Sequence, residues 1–237
     1  MKLELEGFFQ EYEKILADME KVFNRIQSDF PAEVACKQGC TDCCYALFDL
    51  SLIEAMFLKR KYQELLSEAV RTEVREQADR ADRETYKIKR RIYKSRQQGA
   101  ETDQIMTEVG RERVRCPLLT GEDKCLLYEW RPVTCRLYGL PLSIGGEVHT
   151  CARTGFVPGE KYPTVYMDKI QDRLLELSQK MAASIPSKYS KLGEVLVPLS
   201  MALITEYDAE YLGIVEPKDE EKKGDKSGTE WVLGKDD

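Results

Sequence analysis

Eight cysteines in 237 residues are the side chains of this sequence best suited to chemistry. Four fall within CKQGCTDCC at residues 36–44, spaced C-x3-C-x2-C-C: Cys36, Cys40, Cys43 and Cys44. The other four, Cys116, Cys125, Cys135 and Cys151, follow a long cysteine-free gap. Two groups so separated predict one site assembled from distant parts of the chain. Thiolates are soft ligands that select zinc, copper(I) or iron–sulfur clusters. Cys36, Cys40 and Cys43 can converge on one centre from a tight loop, and Gly39 permits the turn. Cys43 and Cys44 are neighbours whose side chains diverge in most backbone conformations. One of them is therefore expected to face a different site or the core.

The full set could build two four-cysteine zinc sites, one or two iron–sulfur clusters, or one site with spare cysteines. Structural zinc uses paired C-x2-4-C knuckles. Here the downstream cysteines are 9, 10 and 16 positions apart, with no second knuckle. Three close cysteines with remote partners favour an iron–sulfur cluster, of the 4Fe-4S type, with zinc as the alternative. The single histidine, His149, could supply a ligand or a proton, and any hydrolase needing a histidine base must use it. The C-x3-C-x2-C spacing and Gly145-Gly146-Glu147 also suggest radical-SAM chemistry. That reading fails on Asp42, which stands where an aromatic usually precedes the third cysteine, and on the lack of alternating strands.

Composition narrows the setting. A net charge of −6 argues against a chain that coats nucleic acid. The first residues carry acids throughout, unlike a secretory signal. The longest apolar stretch, at 195–204, is far short of the ~20 residues that span a bilayer. These features predict a soluble cytoplasmic protein without membrane contact. In a reducing compartment, clustered cysteines favour metal or redox chemistry over disulfides.

The positioning elements read as helices. Over 7–28, Phe8, Phe9, Tyr12, Ile15, Leu16, Met19, Val22, Phe23 and Ile26 recur at helical spacing. Ser51 and Glu54 form a capping-box pattern opening a helix that runs to Ala69. Residues 71–96 predict one or two solvent-washed helices, ending in YKIKRRIYKSR at 86–96. That basic run is read as a solvated face balanced by earlier acids, with RNA or an acidic partner as the other use. A short helix is expected over 103–109. The segment 116–151 reads as loops and turns with a short hairpin at 144–148. Helices follow over 166–185 and 194–211, the second kinked or started at Pro198. The fold class expected is mainly α, a single helical domain over 1–215 around an irregular cysteine-rich core. A charged, disordered tail over 216–237 follows.

CKQGCTDCC, followed downstream by CPLL…GEDKCLLYEWRPVTCR, resembles the YkgJ-type cysteine-cluster family, zinc- or iron-chelating domains grouped with flagellin N-methylase. The match covers 36–151. Its first spacing is x3 where the family commonly has x2, which bears on Cys36. The resemblance implies iron–sulfur or zinc binding, with lysine methyl transfer as a further inheritance, although no glycine-rich SAM loop follows a strand. Within the motif, Arg131 and Arg136 are candidates to offset the charge of a thiolate-bound cluster or to bind an anionic substrate. A salt bridge with Glu129 or Asp123 is the plainer use. The functions to separate are an iron–sulfur protein with a redox or protein-modifying role and an unnamed protein partner, a zinc-stapled binding module, and a lysine methyltransferase-like enzyme.

Overall fold

The computed structural model describes residues 3–215, with all side chains in that range except those at 102, 103, 106 and 107. The architecture is mainly helical. Its first helix, α1 (Glu6–Asp29), is the long amphipathic helix the periodicity predicts, burying Phe9, Tyr12, Ile15, Leu16, Met19, Phe23 and Ile26. After the cysteine loop comes a short strand, β1 (Asp49–Ser51), and then α2 (Leu52–Leu65). The capping box forms as its sequence requires. Glu54 reaches back to the Ser51 backbone N–H at 3.1 Å and takes the Ser51 hydroxyl at 2.9 Å.

The helix α2 is the central post of the molecule, because its first turns are buried on every side. Leu52, Ile53, Met56 and Phe57 join the core built by α1, and Ala55, Leu58 and Tyr62 face a second core. The expected run to Ala69 is corrected. The helix stops at Leu65, and Ser67 caps a new one, α3 (Glu68–Gln97), through the Val70 N–H. An N-capping serine ends the apolar run that Leu65 and Leu66 extend. α3 is one unbroken helix, with Val74, Ala78, Ala81 and Ile88 inward. Its basic run leaves Tyr86 and Tyr93 exposed. Lys89 pairs with Asp49 at 2.6 Å, and Arg91 pairs with Glu112. The next helix, α4 (Thr102–Arg111), is a little longer than expected.

The segment read as loops and turns contains one unpredicted helix, α5 (Val133–Leu137), and a single 3-10 turn at Tyr128–Trp130. The hairpin forms from β2 (Leu142–Ile144) and β3 (Glu147–His149), turning at Gly145 and Gly146, both at positive φ. β2 also pairs in parallel with β4 (Val165–Tyr166), which leads into α6 (Met167–Ala183). The expected helix over 194–211 is cut to α7 (Leu199–Ile204). The residues before it form β5 (Leu196–Pro198), antiparallel to β1. Pro198 cannot continue a helix backwards, and its neighbours find strand partners instead. Buried Lys59 of α2 donates to the Leu203 carbonyl at 2.9 Å and pairs with Glu206, closing the end of α7. No helix of the described residues is long and apolar enough to cross a membrane. The tail expected over 216–237 lies outside the described residues.

Candidate metal centre

The upstream cysteines sit on a loop shaped by two tight turns. Gly39, at φ +89°, occupies the third place of a turn closed by Cys40 N–H to Lys37 O at 2.9 Å. That place in a type II turn calls for glycine. A second turn, Cys44 N–H to Thr41 O at 2.9 Å, opens the 3-10 turn Asp42–Tyr45. Cys36 is seated by the Gln27 side-chain amide on its carbonyl. It also packs on Gly139, where an added Cβ would come within 2.7 Å of the Cys36 Cβ.

The downstream strand of chain docks directly on this loop. Cys116 N–H donates to Cys44 O at 2.7 Å, and Val114 N–H to Tyr45 O at 3.1 Å. Leu119 and Cys125 then bridge across a tight loop whose tip, Asp123, has φ +57°. Cys135 rides on α5. Behind it, Arg136 donates from Nε to the Arg131 carbonyl at 3.1 Å, from a terminal nitrogen to the Glu129 carbonyl, and from the other to Glu20 at 2.6 Å.

The result is a cavity of about 70 Å³ whose wall includes Cys36, Cys40, Cys43, Cys44, Cys116, Cys125 and Cys135. Leu47, Phe48, Leu118 and Leu119 form its apolar wall, and Arg131 faces it. A smaller cavity of about 10 Å³ lies beyond Cys36, Cys40 and Cys43, and Cys151, Asp42 and Tyr138 line it. The two halves of the cysteine set therefore meet, with Cys36, Cys40 and Cys43 as a wall between the compartments. Cys151 touches the smaller one alone.

Cys43 and Cys44 share the larger cavity, so neither turns away from it, and Cys43 also borders the smaller one, which Cys44 does not. His149 is exposed on β3, opposite Leu142, and lines neither cavity. Arg136 lines neither cavity either. Its guanidinium is engaged by Glu20 and two carbonyls, so its partner is Glu20 instead of the side chains of Glu129 or Asp123. Arg131 lies 3.9 Å from Glu20 and stacks its guanidinium over the Tyr128 ring at 3.9 Å.

The electrostatics are uneven around the ring. The Cys43 thiol is held well below its usual range because the thiols of Cys135 and Cys44 donate to it, and Arg131 adds its charge. Those two donors are pushed up in turn, by their bond to Cys43 and by burial. Burial pushes Cys36 up to about 11 and Cys116 up to about 12, and raises Cys125 and Cys151. Among the described residues all eight cysteines are free thiols. A metal binding here must therefore displace protons from most of its ligands. Two buried polar atoms at the site have no partner: Arg131 Nε and Asp42 Oδ2. A buried donor without an acceptor costs about 1–3 kcal/mol, so Arg131 Nε fits a place prepared for an anionic group. Among the described residues, no three or more Cys, His, Asp or Glu side chains are arranged to close on one metal ion. Seven thiols line the larger cavity, and those of Cys44 and Cys135 both bond to that of Cys43.

The CxxCxxCC family model, described as "Putative zinc- or iron-chelating domain", matches residues 35–152, from one position before Cys36 to one after Cys151. The chain has one residue more than that pattern between its first two cysteines. No curated protein and no solved structure matches the chain significantly.

Proposed function

The chain belongs to the CxxCxxCC family through its residues 35–152, a zinc- or iron-chelating module, and from that premise we propose that it is an iron–sulfur protein. The cluster is of the 4Fe-4S type and is bound in the larger cavity. One observation carries the choice of metal: seven thiols line one cavity of about 70 Å³, more donors than a single tetrahedral zinc ion takes. That volume is several times the ~10–15 Å³ that admits one water. A zinc ion needs four donors about one atom, with sulfur at about 2.3 Å. A cluster offers a separate iron to each thiolate.

The ligands come from Cys43, Cys44, Cys116, Cys125 and Cys135, with Cys36 and Cys40 on the wall shared with the smaller cavity. When bound, such a group supplies one-electron transfer. The chain's own residues prepare the place for it. Arg131 brings a fixed positive charge and an unpartnered N–H to a site that gathers thiolate charge. Leu47, Phe48, Leu118 and Leu119 give it an apolar side, which lowers the local polarity and strengthens charge interactions there. The role is electron delivery to a protein partner or support of a protein-modifying step. Anaerobic purification with iron, sulfide and zinc analysis beside a visible spectrum tests the proposal. A brown protein with iron and sulfide in matching amounts is the expected result. A colourless protein holding stoichiometric zinc and no sulfide, after anaerobic reconstitution, overturns it.

A further inference from the structure

Glu54 is a buried carboxylate that its local role does not explain. A capping box needs one side-chain oxygen, and Oε2 fills that role with the Ser51 N–H and hydroxyl. Capping residues of this kind sit at helix ends, where water is close. Glu54 is only 5% exposed, among the apolar side chains that pack α1 against α2. Taking a carboxylate out of water costs several kcal/mol, so its remaining lone pairs must be used. They are used across the core. Oε1 accepts the Tyr12 hydroxyl of α1 at 3.3 Å and the backbone N–H of Val133 at 3.2 Å. Val133 is the first residue of α5, two positions before Cys135 and two after Arg131.

The helix α5 has only five residues, so its own ladder of hydrogen bonds cannot set its orientation. External contacts must do it, and beside its packing on α1 there are two polar ties. Arg136, anchored on Glu20, ties down the carbonyls of Glu129 and Arg131 on one side. Glu54 holds the leading N–H on the other. Val133 and Leu137 are fully buried between them. The thiol of Cys135 then donates a hydrogen bond to that of Cys43.

We infer that Glu54 is a positioning residue of the cysteine site: its carboxylate, set in the core of the scaffold, fixes the helix that presents Cys135. It touches no metal ligand side chain and acts through the Val133 N–H. A glutamine at this place has one acceptor oxygen, so either the Ser51 pair or the Val133 N–H loses its partner.

The test reads thiol geometry directly in the metal-free protein, so it does not depend on the cluster reading. Alkylation by iodoacetamide, followed by peptide mass spectrometry, gives the rate at Cys135 relative to Cys116. The glutamine oxygen can turn to Val133 and keep that bond, so the ratio is read in Glu54→Leu, which removes both oxygens and should raise it about tenfold, the loss of one hydrogen bond to a charged group. Ser51→Ala and Tyr12→Phe remove the other side-chain donors to the same carboxylate and should leave the ratio at the wild-type value. If circular dichroism shows that Glu54→Leu does not fold, the ratio is read in Glu54→Asp, which withdraws the carboxylate by one methylene. An unchanged ratio in the folded Glu54 variant, or an equal rise in Ser51→Ala, overturns the inference. In the loaded protein, the same Glu54 variant should alter the electron paramagnetic resonance of the reduced cluster, and Ser51→Ala should not. A wild-type protein with zinc and no sulfide removes the cluster proposal, while the thiol ratio still decides the role of Glu54.

Discussion

The two cysteine-bearing regions arrive at the same cavity by different means. The upstream loop, 36–44, buries none of its own residues fully and owes its shape to two backbone turns and Gly39. The downstream region is bolted to the scaffold. Leu118, Leu119, Leu127, Val133 and Leu137 are almost wholly buried, and Arg136 and Glu54 tie α5 from two sides. Apolar anchors and buried polar ties hold a segment far more firmly than exposed turns do. The comparison therefore assigns two roles. The downstream cysteines form a preset half, and the upstream loop is the half that adjusts when metal binds.

The strongest way to break that assignment is to remove ligands from each region. Cys135→Ser and Cys43→Ser should each abolish stable metal loading, read as metal per chain after desalting. Cys151→Ser, which alters the smaller cavity alone, should retain most of it. Equal losses in all three would erase the distinction between compartments. Next in size is the downstream anchor. Leu137→Ala should cost about 2–5 kcal/mol in denaturant unfolding of the metal-free protein. Gly139→Ala tests the contact between regions, because its methyl meets Cys36. Overpacking of this kind costs about 1–3 kcal/mol and should also slow metal uptake. Gly39→Ala tests the upstream turn and should cost about 1 kcal/mol, with slower metal uptake and an unaltered downstream thiol reactivity.

The pH dependence of the metal-free fold tests a feature that both regions share, the burial of their thiols. Burial raises Cys36 to about 11 and Cys116 to about 12 from an unperturbed 9.0. The native state thus keeps protons that the unfolded chain releases above pH 9. Stability from these thiols is complete below that point and falls as pH rises through 11 to 12. Melting curves from pH 7 to 11 should show a decline that begins near 9, and Cys116→Ala should reduce its slope. A flat profile would remove the claim that these thiols are protonated within the fold.

Much of the scaffold was legible in the residues themselves. The spacing of Phe9, Tyr12, Leu16, Met19 and Phe23 reports α1, and Ser51 with Glu54 reports the start of α2. Gly145-Gly146 reports the hairpin. What stayed hidden depends on partners distant in sequence. Nothing local in residues 196–198 says that they pair with 49–51, so the segment reads as helix. The five residues of α5 are too few to show a period, and proline beside them suggests a loop. At the site, the pairing of the two cysteine groups was visible from their isolation in the chain. The common cavity of Cys43 and Cys44 was not, because it depends on a 3-10 turn that sequence does not announce. The partner of Arg136 was equally hidden, since Glu20 lies on another helix more than a hundred positions away.

The hydrogen bond from Cys116 N–H to Cys44 O has a kinetic consequence. It closes a loop of roughly seventy residues that contains α2, α3 and α4, and such a closure is entropically costly until the intervening chain is compact. The helices between can form and pack first, on contacts of their own. The cavity takes its walls from both ends of that loop, so it is complete only once the loop has closed. Until then the free thiols are open to oxidation, which makes the order of assembly as important to the site as its final geometry.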